Sequence, residues 1–146
     1  MRQTNGKGIL LIKKFEGLRL RAYRDAGLKI LTVGYGHTGP DVHVGQVITD
    51  RQAEWLLKTD LVRFEIAVDN LVTSAVSQNQ FDALVSFAFN LGAGTLKKST
   101  LLKKVNADPN DPTIMAEFAK YVKAGGRVLK GLIARRVAEA ELYFEP

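Results

Sequence analysis

Glycines at positions 27, 34, 36, 39 and 45, with Pro40 among them, punctuate the chain before Thr49, and neither residue type recurs until Gly92. A long helix does not survive that density of breakers. Residues 17–48 are therefore confined to short extended pieces, such as 30–35 and 42–48, joined by turns. They read as a small hairpin or a three-stranded sheet.

The flanking segments are helical in pattern. Residues 1–16 carry Ile9, Ile12 and Phe15 on one face, with Thr4 or Asn5 as the cap. Thr49-Asp50-Arg51-Gln52 is a capping box, in which hydroxyl and amide reciprocally satisfy orphan backbone donors, and it opens a helix over 49–73. Ser77-Gln78-Asn79-Gln80 is a second box, opening a helix that buries Phe81, Leu84, Val85, Ala88 and Leu91 and ends at Gly92 and Gly94. Further helices are expected over 99–105, from Asp111-Pro112 up to Gly125-Gly126, and over 129–144. The fold class is α+β. A β-containing lobe (about 17–48) and a helical body (1–16 and 49–146) form a single domain, joined by the long helix with a cleft between them. Phe87, Phe89 and Trp55 are expected to pack in the core.

Composition narrows the class further. The chain has no cysteine, which excludes disulfides and thiolate metal sites. A net charge of +6 favours an anionic partner without choosing among nucleic acid, cell wall and lipid. No nucleic-acid motif accompanies the charge. The apolar run GILLI at 8–12 is far below the ~20 residues of a membrane span, and too short for a signal-peptide core. The expectation is a chain made in the cytoplasm without its own export signal.

Two acids stand out. Glu16 closes an amphipathic helix beside Phe15 and Leu18, a setting that can desolvate a carboxyl and suit it to general-acid work. Asp25 enters a glycine-containing turn, where it would stay ionised. Two carboxyls in contrasting settings are the usual equipment for cleaving a glycosidic bond. On spacing alone they serve equally as surface partners of Arg19, Arg21, Arg24 or Arg136. In Thr32-Val33-Gly34-Tyr35-Gly36-His37-Thr38, Gly34 and Gly36 allow a bend or a close backbone approach. His37 is expected to support that turn by hydrogen bonding, and His43 to face solvent. No metal-ligand spacing is present, so neither metal nor other cofactor is expected.

Taken in order, FEGLRLRAYRD, TVGYGHTG, QNQFDALVSFAFNLGAG and GLIARRVAEAELY cover most of the chain. The combination resembles the phage-type lysozymes, or endolysins, a glycoside hydrolase family. The resemblance implies a lysozyme-like fold and a muramidase acting on the β-1,4 bond between N-acetylmuramic acid and N-acetylglucosamine in bacterial peptidoglycan, for host lysis. It makes Glu16 the acid, with Asp25 and Thr32 directing water to the opposite face of the sugar. The implied outcome is inversion, which needs carboxyls ~6.5–9.5 Å apart. Asn90, in FAFNLG, matches a position that faces the substrate, although a helix C-cap is an equal reading. One departure is visible: the segment between Asp25 and Thr32 is a residue longer than usual, so the hairpin must bulge or lengthen.

The other implied properties follow the same family. The protein is expected to be a monomer that stays in the host cytoplasm until another factor, such as a holin, gives it access to the wall. Stable membrane insertion is not expected. Residues 128–136 mix apolar and basic side chains, for which core packing is the first expectation and weak contact with an anionic outer membrane the second. A non-catalytic cationic module, binding wall or membrane through residues 128–143, stands as the alternative function.

Overall fold

The structure, a computed structural model, describes residues 2–24 and 29–146. They divide into two compact units, one built from residues 13–62 and the other from residues 2–12 and 63–146.

Helix α1 runs Gly6–Glu16. Its first turn is held by acids from elsewhere in the chain: the Thr4 amide and hydroxyl each donate to Glu65 at 2.6 Å, and the Asn5 amide donates to Asp82 at 3.2 Å. The Ile9 amide donates to the Asn5 carbonyl, so Asn5 is the cap. The helix stops where Gly17 adopts φ 73° while its amide still reaches the Lys13 carbonyl at 3.0 Å. Left-handed glycine is a common helix stop.

Strands β1 (Arg19–Arg24), β2 (Leu31–Gly34) and β3 (His37–Thr38) form an antiparallel sheet in that order. Val33, Val42, Ile48 and Ala53 make the small core beneath it, with Leu20, Leu31 and Tyr35 packed against them. RLRAYR is the first strand of the sheet, its side chains alternating between the half-buried Leu20 and Ala22 and the exposed arginines. One expectation needs correction. Residues 42–48 are not a strand. They meet β1 only through the Arg21–Val47 bridge and two backbone hydrogen bonds, Ala22 N–H to Gln46 and Ile48 N–H to Leu20. The register of β1 against β2 shifts between Arg19 and Tyr23. The lengthening expected between Asp25 and Thr32 falls largely on residues 25–28, outside the described residues.

Helix α2 (Asp50–Leu71) begins at the expected capping box, with the Gln52 amide donating to Thr49 Oγ1 at 3.1 Å and the Thr49 amide to Gln52 Oε1 at 2.9 Å. Trp55 on this helix is 65% exposed, which overturns its assignment to the core. The helix buries Ala53, Leu57, Leu61 and Val68, and Trp55 falls off that stripe.

Helix α3 (Gln78–Leu91) carries the second box between Ser77 and Gln80 and is buried almost continuously from Gln80 to Ala88. Phe87 packs edge-on against Phe118 and Tyr121, and Phe89 against Phe64. Helices α4 (Ala93–Lys98) and α5 (Thr100–Ala107) follow, with Ser99 capping α5 through the Leu102 amide. Asp111 accepts from the Thr113 amide and hydroxyl, making a turn before the short α6 (Ile114–Phe118). That helix ends well before Gly125. The two glycines, with φ 58° and 76°, instead turn a hairpin of β4 (Lys123–Ala124) and β5 (Arg127–Val128). Positive φ at both central residues is the tight hairpin geometry that glycine pairs favour. Helix α7 (Lys130–Phe144) packs through Arg135, Arg136, Glu139, Ala140, Leu142 and Tyr143. Among the described residues no helix is long and apolar enough to cross a membrane.

Candidate functional site

Glu16 is the last residue of α1 and is half-buried. The β2–β3 turn comes directly against its carboxyl: a Cβ built on Gly36 would stand 2.9 Å from Glu16 Oε1. Gly36 also has φ 76°, a backbone conformation that favours glycine, and any side chain there would displace the Glu16 carboxyl. The acid and the TVGYGHT turn, separate features in the sequence, are thus one local structure.

The same turn is anchored on its other side. His37, with a side chain 11% exposed, places Nδ1 2.7 Å from Asp60 Oδ2 and Nε2 2.9 Å from Asp41 Oδ2. Burial pulls the imidazole pKa down, but the hydrogen bonds and charges of Asp60 and Asp41 outweigh it and raise it above 6.5. The hydrogen bond from His37 holds the Asp41 carboxyl below the usual range. His37 thus links the turn to both Asp60 and Asp41. Its two partners had no local sequence signal, because one lies in a polar loop and the other a helix away.

Lys13, one turn before Glu16 on α1, pairs with Glu54 of α2 at 2.9 Å, and its ammonium lies 5.4 Å from the Tyr35 ring centroid. The end of α1, the turn and α2 are thereby tied together around Glu16. These contacts were also missed from sequence, since Lys13 and Glu54 read as ordinary surface charges.

Thr32 sits on β2, buried at 5% exposure, and its hydroxyl donates to the Ile30 carbonyl at 3.0 Å. Asp25 lies outside the described residues. Arg19, Arg21 and Arg24 are exposed on β1, where Arg19 stacks on the Tyr23 ring at 4.2 Å and Arg24 donates to the Lys29 carbonyl.

Asn90 belongs to the other unit, near the end of α3. Its Oδ1 accepts from Arg136 Nη2 at 2.7 Å. The C-cap position belongs to Gly92, whose amide donates to the Ala88 carbonyl. Arg136 and Arg135 are 1% and 3% exposed and surround the fully buried Glu139. Glu139 Oε1 lies 2.8 Å from Arg136 Nε, and Oε2 accepts from Ser86 at 2.5 Å. Burial pushes the Glu139 carboxyl up, against the two guanidinium charges and the hydrogen bonds from Ser86 and Arg135. The sequence signal available was the GLIARRVAEAELY spacing, which stacks Arg135, Arg136 and Glu139 within one helical turn.

A carboxyl at a helix end, backed by glycine backbone and braced on both sides, is suited to proton donation to a ligand oxygen. The phage lysozyme family matches residues 13–139. The chain is 51% identical to an endolysin of Bacillus phage B103 over 93% of this chain and 52% of that protein. It is 46% identical to an endolysin of Bacillus phage PZA over 97% of this chain and 55% of that protein. The chain thus spans about half the length of these two relatives. Its fold is similar to the muramidase domain of SpmX from Asticaccaulis excentricus, with TM-score 0.90 and 36% identity over 100% of both chains. The matched residues include Glu16, the whole TVGYGHT turn and the buried Arg135–Arg136–Glu139 cluster, and the chain belongs to the phage lysozyme family.

Proposed function

We propose that the protein is an endolysin muramidase that hydrolyses the β-1,4 bond between N-acetylmuramic acid and N-acetylglucosamine in bacterial peptidoglycan. The observation that carries this reading is the placement of the Glu16 carboxyl against Gly36 in the TVGYGHT turn. Family membership supports it, as does the similarity to endolysin and muramidase relatives.

In this mechanism Glu16 protonates the glycosidic oxygen. Asp25 acts as base toward a water on the opposite face of the sugar, and the product anomer is inverted. The Thr32 hydroxyl proton is engaged by Ile30, so its oxygen serves the water as an acceptor while Asp25 takes the proton. Asn90 contacts the sugar through its amide NH2. Arg136 fixes the carbonyl end, and the NH2 has no partner among the described residues. The protein acts as a monomer, remains in the host cytoplasm until released to the wall, and makes at most a peripheral contact with membrane. The burial of Arg135, Arg136 and Glu139 disfavours an independently acting C-terminal segment, since α7 is a packed helix of the fold.

The test is lysis of purified wall by wild type and Glu16→Gln, with release of reducing ends as a second readout. The amide variant is expected to lose nearly all activity with its melting temperature preserved. Equal lysis by both proteins would remove Glu16 from the role of acid. NMR of the fresh product should show the α anomer first, and an initial β anomer would exclude inversion.

A further inference from the structure

Helices α6 and α7 and the β4–β5 hairpin make one continuous surface of the helical unit. The Leu129 amide donates to the Val122 carbonyl at 3.0 Å, which folds the hairpin back onto the start of α7. Between α6 and α7 lies a groove of about 290 Å³, lined by Met115, Ala119, Val122, Ile133, Val137 and Ala140. Val128, Leu129, Ile133 and Val137 are 55%, 43%, 42% and 50% exposed. The outward face of α7 therefore reads Lys130, Ile133, Ala134, Val137, Glu141, apolar where a surface helix is ordinarily polar. Core packing, the first expectation for this segment, holds only for the opposite face of α7.

Charge on this surface is one-sided. Lys123, Arg127 and Lys130 are exposed at the hairpin end, and none has an acidic partner among the described residues. The nearby Lys120 differs, being paired with Glu117 at 2.8 Å. Among the described residues, the acid that lines the groove is Glu141. An apolar strip with unneutralised cations at one end matches a surface that presents phosphate above hydrocarbon.

We propose that this face is a docking surface for an anionic lipid bilayer, with Val128, Leu129, Ile133 and Val137 entering the headgroup boundary and Lys123, Arg127 and Lys130 meeting lipid phosphates. The contact is peripheral and independent of Glu16. It would hold the protein at the inner face of a membrane, next to the site at which the wall becomes accessible.

Co-sedimentation of the full chain with phosphatidylglycerol-containing vesicles and with pure phosphatidylcholine vesicles tests it. Binding is expected only to the anionic vesicles. Each cation contributes about fivefold in affinity, from about 1 kcal/mol per Lys or Arg at an anionic surface. The triple variant Lys123→Gln, Arg127→Gln, Lys130→Gln should then bind roughly a hundredfold more weakly. A control with the same charge change elsewhere, Lys97→Gln, Lys98→Gln, Lys103→Gln, should lose far less, and both variants should melt like wild type. Ile133→Ser with Val137→Ser should weaken binding while leaving net charge unchanged. The proposal is overturned by absence of binding to anionic vesicles, or by equal losses in the two charge variants, which would signify a net-charge effect. It is also overturned if the serine variant abolishes self-association seen without vesicles, because the face would then belong to a second copy. Wall lysis by the hairpin variants reports separately on the muramidase.

Discussion

The imidazole of His37 lies 2.7 Å from Asp60 and 2.9 Å from Asp41, so a turn that touches the Glu16 carboxyl is pinned by charges from a loop and from α2. Its folded pKa is raised. The stabilisation from this clamp is therefore complete below the unfolded value of 6.5 and fades as pH rises through the folded value. Asp60→Asn should lower the melting temperature most at about pH 5.5, with a narrower gap at about pH 9. A gap independent of pH would show that Asp60 acts only as a neutral packing partner.

Gly36 is predicted to be intolerant even of alanine. A Cβ there meets Glu16 Oε1 at 2.9 Å, and the φ of 76° adds about 1–2 kcal/mol of strain for a non-glycine residue. Gly36→Ala should remain folded but lose on the order of a hundredfold in wall lysis, as displaced catalytic groups do. Wild-type lysis by a folded alanine variant would separate the turn from the acid.

The buried Arg135–Arg136–Glu139 cluster should be sensitive to removal of its single acid. Glu139→Gln leaves two guanidinium groups without their counter-charge in the interior, a change that costs about 3–5 kcal/mol. Urea unfolding would register this as a lower midpoint with little change in slope. A loss below about 1 kcal/mol would mean that water already reaches the cluster.

At the start of α3, Ser77→Ala removes the oxygen that accepts from the Gln80 amide at 3.1 Å. A destabilisation of about 1 kcal/mol is expected, with wall lysis unchanged at moderate temperature. A neutral outcome in thermal melts would indicate that solvent satisfies the freed amide.

Much of this architecture could be read locally. The boxes at Thr49 and Ser77 mark helix starts because their hydrogen bonds close within four residues, and glycine density marked residues 17–48 for the three-stranded sheet. Glu16 and the TVGYGHT turn were both legible as motifs. Tertiary structure decided the rest, since each missed feature depends on residues distant in sequence. Residues 42–48 were kept out of the sheet by meeting β1 only at the Arg21–Val47 bridge, and Trp55 was left in solvent by the rotation of α2 over its core. Arg135 and Arg136 were buried because α3 supplied Ser86 and Asn90 to meet them. Composition could count the charges of this chain. Only the fold determined which of them lost their water and which, like Lys123, Arg127 and Lys130, kept it.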